Sequence, residues 1–226
     1  MMRREFITLL GGAAAAWPLA ARAQQPSRLP TIGFLGADPS IESKRVAAFV
    51  QRLRELGWID GRNLAIEYRW AEGRNERYAE NVAELVRLKV DVIVTVATVP
   101  TLAAKQATAV TPIVFAAAGD PVGTGLVASL ARPGGNVTGL STQTAETAGK
   151  RLELLREIVP GLGRLAIMGN VGNPIIVLEL GEVQAAARAL GLEVITSELR
   201  RAEDISPRST RSRAARMHCM SASTRS

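Results

Sequence analysis

The sequence predicts an α/β fold built on parallel sheets, and three observations carry that reading. From Arg28 onward, short β-branched runs alternate with longer stretches of helical period. The run Val90 to Val96 is apolar almost throughout, the pattern of a strand covered on both faces. Gly and Pro punctuate the joins, and neither a solenoid-length repeat nor a low-complexity linker interrupts the alternation.

Each element has its own warrant. Thr31 to Leu35 is the first strand. A helix from about Glu42 to Leu56 sets Val46, Phe49, Val50, Leu53 and Leu56 on one face, and Gly57 stops it. Asn63 to Tyr68 is the second strand. A helix capped near Asn75 then turns Tyr78, Val82, Leu85 and Val86 inward and leads to the strand Val90 to Val96. A short helix from about Thr98 to Thr108, a strand at Pro112 to Ala116, a helix near Gly123 to Leu130 and a strand at Asn136 to Ser141 continue the series. Arg132-Pro133-Gly134-Gly135 is the turn before that last strand. A longer helix, Ala145 to Val159, places Ala148, Leu152, Leu155 and Val159 inward and ends at Pro160-Gly161. Strand Leu165 to Met168, helix Pro174 to Leu190 and strand Leu192 to Thr196 open a second sheet.

The two ends read differently from the body. Arg3-Arg4 with Phe6, the apolar run Leu9 to Ala21 and the small-x-small site Ala21-Arg22-Ala23 make residues 1–23 resemble a twin-arginine-type signal peptide, expected to be cleaved near Ala23; an uncleaved anchor or a core helix is the alternative. The expected location of the mature chain is the periplasm. Residues 208–226 hold five Arg and five Ser but no acid and no Leu, Ile, Val or Phe. A segment of that composition has no face to bury, so it is expected to be a disordered basic tail, out of frame with what precedes it.

The formal charge of +7 belongs to these ends, because residues 24–207 carry equal numbers of basic and acidic side chains. No basic stripe lies on the body, and no nucleic-acid partner is expected. His218 and Cys219 are the only residues of their kinds and both lie in the tail. Disulfides, zinc sites of the usual ligands, thiol nucleophiles and histidine-based triads therefore drop out for the body, and no metal or cofactor is expected. At 47% apolar, the chain has the material for a core without crosslinks.

Several stretches together carry a resemblance. Leu29-Pro30-Thr31-Ile32-Gly33-Phe34-Leu35, Phe49 to Trp58, Ile66-Glu67-Tyr68-Arg69-Trp70-Ala71, Pro112 to Ala116 followed by Gly119-Asp120-Pro121-Val122-Gly123-Thr124-Gly125-Leu126-Val127, Arg132 to Leu140, and Gly149 to Leu155 resemble the substrate-binding proteins of ABC transporters. The branch is the type I periplasmic-binding-protein-like group, which includes binders of aromatic and other amino acids. The resemblance covers about Leu29 to Pro207. It implies a fold of two lobes with Rossmann-like parallel sheets, here residues 24–140 and an incomplete second lobe at 141–207. It further implies capture of a small amino-acid-like or related organic solute, delivery to an ABC permease in the inner membrane, no covalent chemistry, and a monomer or weak dimer. Two parallel strands with few helices cannot cover both sheet faces, so residues 164–207 are expected to expose apolar surface.

Ligands of open parallel sheets sit beyond the carboxyl ends of the strands. That rule selects the loops Gly36 to Ser40, Ala97 to Thr101, Ala117 to Pro121 and Gly169 to Asn173. Thr98 and Thr101 lie at a helix start that suits a carboxylate, although Thr98 equally suits a helix cap. Gly119 and Asp120 follow a buried strand; Asp120 suits a ligand ammonium or the turn before Pro121. Asn170 and Asn173 face the cleft from the second lobe or serve only the turn before Pro174, and Asp38 and Ser40 carry the same two readings.

Three rivals stand beside this reading. A dinucleotide-dependent enzyme would use Gly123-x-Gly125-x-x-Ala128, but Gly119 to Pro121 separate it from the strand and Glu146 opens a helix instead of closing a strand. A ligand sensor on the same fold, and a nonfunctional product with an incomplete second lobe, remain open at this point.

Overall fold

The computed structural model describes residues 28–142, 146–200 and 204–205. The signal peptide and the basic tail expected from the sequence lie outside these residues. Among the described residues there are seven strands and five helices, alternating except that β5 follows β4 directly. The first lobe runs β1 (Thr31–Gly36), α1 (Pro39–Glu55), β2 (Ala65–Trp70), α2 (Arg77–Arg87), β3 (Val92–Thr95), α3 (Thr98–Ala107), β4 (Ile113–Ala118) and β5 (Val137–Ser141). The second runs α4 (Ala148–Ile158), β6 (Arg164–Asn170), α5 (Pro174–Ala189) and β7 (Glu193–Leu199).

The first sheet has the order β2-β1-β3-β4-β5 and is parallel throughout. Parallel neighbours need a crossover; helices supply it except between β4 and β5, where an irregular segment makes the connection. Central β1 pairs Thr31 with Ala65 on one side and Ile32 with Val92 on the other. The core between sheet and helices contains Leu35, Val82, Leu85, Ile93, Ala104 and Ile113, all without solvent contact. On the α1 face, Phe34 packs against Phe49, Tyr68 and Trp70, and the last two rings stack 6.1 Å apart at 4°. Such contacts add to the area that the rings bury.

Local signals fix the helix ends. Asp38 caps α1 and Pro39 occupies its first turn, so the helix begins three residues before the expected Glu42. At the other end Gly57 takes φ 87°, its N–H bonds to the Arg54 carbonyl, and the Trp58 N–H bonds to the Leu53 carbonyl. That closing pair satisfies carbonyls the helix would leave orphaned. The first helix after the opening strand of the second lobe repeats the design: Asn173 caps α5, Pro174 follows, and Gly191 closes the end with Leu192 bonding back to Ala187.

One expected element is absent. No helix spans Gly123 to Leu130, although Leu126, Val127 and Leu130 are spaced as one helical face. Gly125 at φ 73° turns the chain instead, and the N–H groups of Leu126 and Val127 both fold back on the Pro121 carbonyl. Ala128 bonds to the Pro133 carbonyl, which ties the segment into a turn with Arg132 to Gly135. Strand β2 also lies two residues beyond the expected Asn63 to Tyr68, and β5 runs one residue past the expected lobe boundary at Leu140.

The second sheet pairs β6 with β7 in parallel, Arg164 opposite Glu193. Its core is small: Leu152, Ala187 and Leu192 are buried, with Leu155, Leu165, Val183 and Val194 packed partly against them. Met168, Val177 and Ile195 are substantially exposed, as expected for residues 164–207. The lobes approach each other through α3 and α5. Among the described residues no helix is long and apolar enough to cross a membrane.

Candidate functional site

The strand order itself points to a candidate site. From β1 the chain winds outward to β2 and then returns to β3 on the opposite side, so the direction reverses between β1 and β3. At such a reversal the flanking loops diverge and leave a crevice at the carboxyl ends of the strands. The loops after β1, β3 and β4 meet there, with α1 and α3 starting on either side.

The β3–α3 loop departs furthest from ordinary backbone. Ala97 has φ 74° and ψ 172°, a region that side chains other than Gly rarely adopt. Ala97 is also the residue before the helix, so Thr98 is its first residue and does not cap it; no side chain caps α3. The start of α3 therefore presents backbone donors and the positive end of the helix dipole to the crevice.

Thr98 and Thr101 are both buried, and their hydroxyls serve the fold. Thr98 Oγ1 accepts from the Gly119 N–H at 3.2 Å and faces the Gly119 carbonyl at 3.5 Å. Thr101 Oγ1 donates to the Ala97 carbonyl at 2.6 Å and lies 2.7 Å from Thr95 Oγ1. These bonds brace the strained loop and join it to the loop after β4. Gly119 is buried between them.

Asp120 sits at φ 30°, and its Oδ1 accepts from the Gly123 N–H at 2.8 Å. Its carbonyl accepts from Thr124 N and Thr124 Oγ1 at 3.0 and 2.7 Å. Of its two expected roles, the geometry shows the turn. Asp38 similarly accepts from Ser40 N at 2.8 Å and Ser40 Oγ at 2.5 Å. Those two hydrogen bonds, the side-chain one foremost, hold its carboxyl below the usual range. In the second lobe, Asn170 Oδ1 accepts from Gly172 N at 2.9 Å, and Asn173 Oδ1 accepts from Ile175 N at 3.3 Å as the cap of α5.

Residues that the sequence did not mark as candidate site residues also gather at this end of the sheet. Glu42, in the first turn of α1, is buried, and its Oε1 accepts from Ala37 N at 3.0 Å. Its Oε2 is buried without a partner, and so is Asn81 Nδ2 on α2. Trp70, the last residue of β2, lies beside Gly36 and Glu42. The available signal was the Asp38-Pro39-Ser40 cap, which starts the helix early enough to bring Glu42 back over the loop.

A cavity of about 270 Å³ lies elsewhere, between α4, α5 and β6, where Leu152, Leu165, Ile167, Ile176 and Leu180 give it apolar walls. It is part of the uncovered second lobe and lacks converging polar groups beyond Arg151 and Glu179, which pair at 3.7 Å. Among the described residues no group of His, Cys, Asp and Glu is arranged to hold a metal ion.

Comparison with known proteins places this geometry. A family model for the ABC transporter substrate binding protein matches residues 37–216. The tyrosine-binding protein of Clostridioides difficile is 30% identical over 164 residues, which are 73% of this chain and 47% of that protein. A conserved domain protein from Vibrio cholerae superposes with TM-score 0.72 at 28% identity, over 78% of this chain and 60% of that one. The ABC domain in complex with L-Trp from Streptococcus pneumonia superposes with TM-score 0.70 at 28% identity, over 80% of this chain and 60% of that one. The chain thus spans about half the length of the curated relative it matches. Its two-lobed parallel architecture is the type I fold of the periplasmic binding proteins, in part.

Proposed function

We propose that this chain, which belongs to the ABC transporter substrate-binding protein family, captures a small amino-acid-like solute, foremost an aromatic one, outside the inner membrane and passes it to an ABC permease. The observation that carries this reading is the start of α3. A helix without a side-chain cap opens at the reversal of strand order, behind a strained residue and a buried hydroxyl brace. Its backbone donors suit the carboxylate of a bound solute. The solute is buried when the two lobes close around it.

The tyrosine-binding protein and the L-Trp complex among the relatives support an aromatic amino acid. The body has neither His nor Cys for group transfer in residues 24–207, which fits binding without covalent chemistry. The solute enters and leaves unchanged, and the protein needs no cofactor. The basic-apolar-small order of residues 1–23 supports a location in the periplasm.

The test is thermal unfolding of the chain with a panel of L-tyrosine, L-tryptophan, aliphatic amino acids and aromatic carboxylates. A solute at 100 times its Kd stabilises the folded state by about 2.7 kcal/mol. Stabilisation by at least one aromatic amino acid is expected. No response to any member of the panel would remove the reading.

A further inference from the structure

Recognising an amino acid takes an acceptor for the ammonium as well as donors for the carboxylate. Four carboxylates stand near the carboxyl ends of the first-lobe strands, and three are committed. Asp38 accepts twice from Ser40, Asp120 accepts from Gly123, and Glu72 pairs with Arg77. Glu42 is different: it is 3% exposed, and only its Oε1 is engaged. Oε2 faces the end of β1, where a methyl group on Gly36 would lie 2.7 Å from it and would strike the Trp70 ring.

Leaving one oxygen of a buried carboxylate unpaired is costly, so natural folds keep such groups where something binds them. We propose that Glu42 Oε2 accepts the ammonium of the solute, between the Trp70 ring and Tyr78, while the start of α3 receives the carboxylate. The inference rests on the solute-binding reading above and assigns it a cationic subsite.

Three features fit that role. An aromatic ring beside a carboxylate is favourable surroundings for an ammonium. Trp70 closes the edge strand β2 and is only half-buried, so its ring can swing outward without displacing a second strand. Tyr78 senses the Glu42 charge: burial first, and that charge second, push its hydroxyl above the usual range. The second orphan, Asn81 Nδ2, follows Tyr78 by one turn on the same buried face of α2.

The experiment compares L-tyrosine with 3-(4-hydroxyphenyl)propionate, which lacks only the amine, by calorimetric titration of the full chain and of Glu42→Gln. Glutamine keeps an oxygen for the Ala37 N–H, so the loop remains pinned. The expected result is a loss of about tenfold to a hundredfold in affinity for L-tyrosine in the variant, with the amine-free analogue unchanged. Equal losses for both compounds, or none, would overturn the inference and leave the function standing. Absence of binding by the parent chain overturns both. If Glu42→Gln does not fold, Glu42→Asp, which keeps the charge and withdraws it by one methylene, must show the same selective loss.

Discussion

The Thr98 hydroxyl and the Gly119 backbone clasp each other across the crevice end of the sheet, Gly119 N donating to Thr98 Oγ1 at 3.2 Å. Because Thr98 is 1% exposed, water cannot replace that bond. Thr98→Val preserves the shape and leaves a buried N–H unsatisfied, which costs about 1–3 kcal/mol. Urea denaturation should show that loss, and Thr98→Ser should recover most of it.

Ala97→Gly should stabilise the fold. The φ and ψ of Ala97 cost about 1–3 kcal/mol for a residue with a Cβ, whereas a Gly there adds about 0.4–1 kcal/mol of unfolded-state entropy. A net gain of about 1 kcal/mol in unfolding free energy, read from a higher denaturation midpoint, is expected, and Ala97→Val should lose stability by a larger amount. An unchanged midpoint in both variants would mean that the loop is unstrained.

Asp38 makes the capping of α1 pH-dependent. Its hydrogen bonds lower its folded pKa below the unfolded value, so the stabilisation is complete above about pH 4 and disappears as pH falls through the folded value. Asp38→Asn retains a capping oxygen without the charge. Thermal unfolding from pH 7 to pH 2 should therefore show the parent more stable at neutral pH and the two converging in acid.

Most of the element order could be read from the chain, because apolar period reports which face is covered and Gly or Pro reports where a helix ends. Gly57 and Pro174 illustrate this: each marked an end that the structure keeps. Gly123 to Leu130 misled for the same reason, since three apolar residues at helical spacing are silent about Gly125 at positive φ. In the site, loop positions were legible from strand ends, but side-chain direction was not. Whether Thr98 points out or in depends on the Ala97 backbone, and the burial of Glu42 depends on where α1 begins.

Gly36→Ala tests the packing around that carboxylate. The added methyl meets the Trp70 ring and Glu42 Oε2, and such overpacking costs about 1–3 kcal/mol. Chemical denaturation reads the loss. Trp70 fluorescence, isolated in a background that carries Trp17→Phe and Trp58→Phe, should shift as the ring is forced outward.

Hydrogen exchange should divide the molecule. Ladder amides of β1 and β3 lie in a sheet flanked on both sides and exchange through opening of the whole first lobe. Those of β6 and β7 depend on a two-stranded ladder over a small buried cluster of Leu152, Ala187 and Leu192. Mass-resolved exchange should deuterate residues 164–199 at least tenfold faster; equal protection would show one cooperative unit.

The parallel order β2-β1-β3 also sets a timetable. In β1 Thr31 pairs with Ala65 and Ile32 with Val92, so the opening strand of this sheet waits for two later strands before it is covered. Closure of such distant pairings is slow compared with helix formation. During that interval Ile32, Phe34 and Leu35 are open to any chaperone that recognises extended apolar segments, and the time a newly made copy spends in such hands is written into the winding of its first sheet.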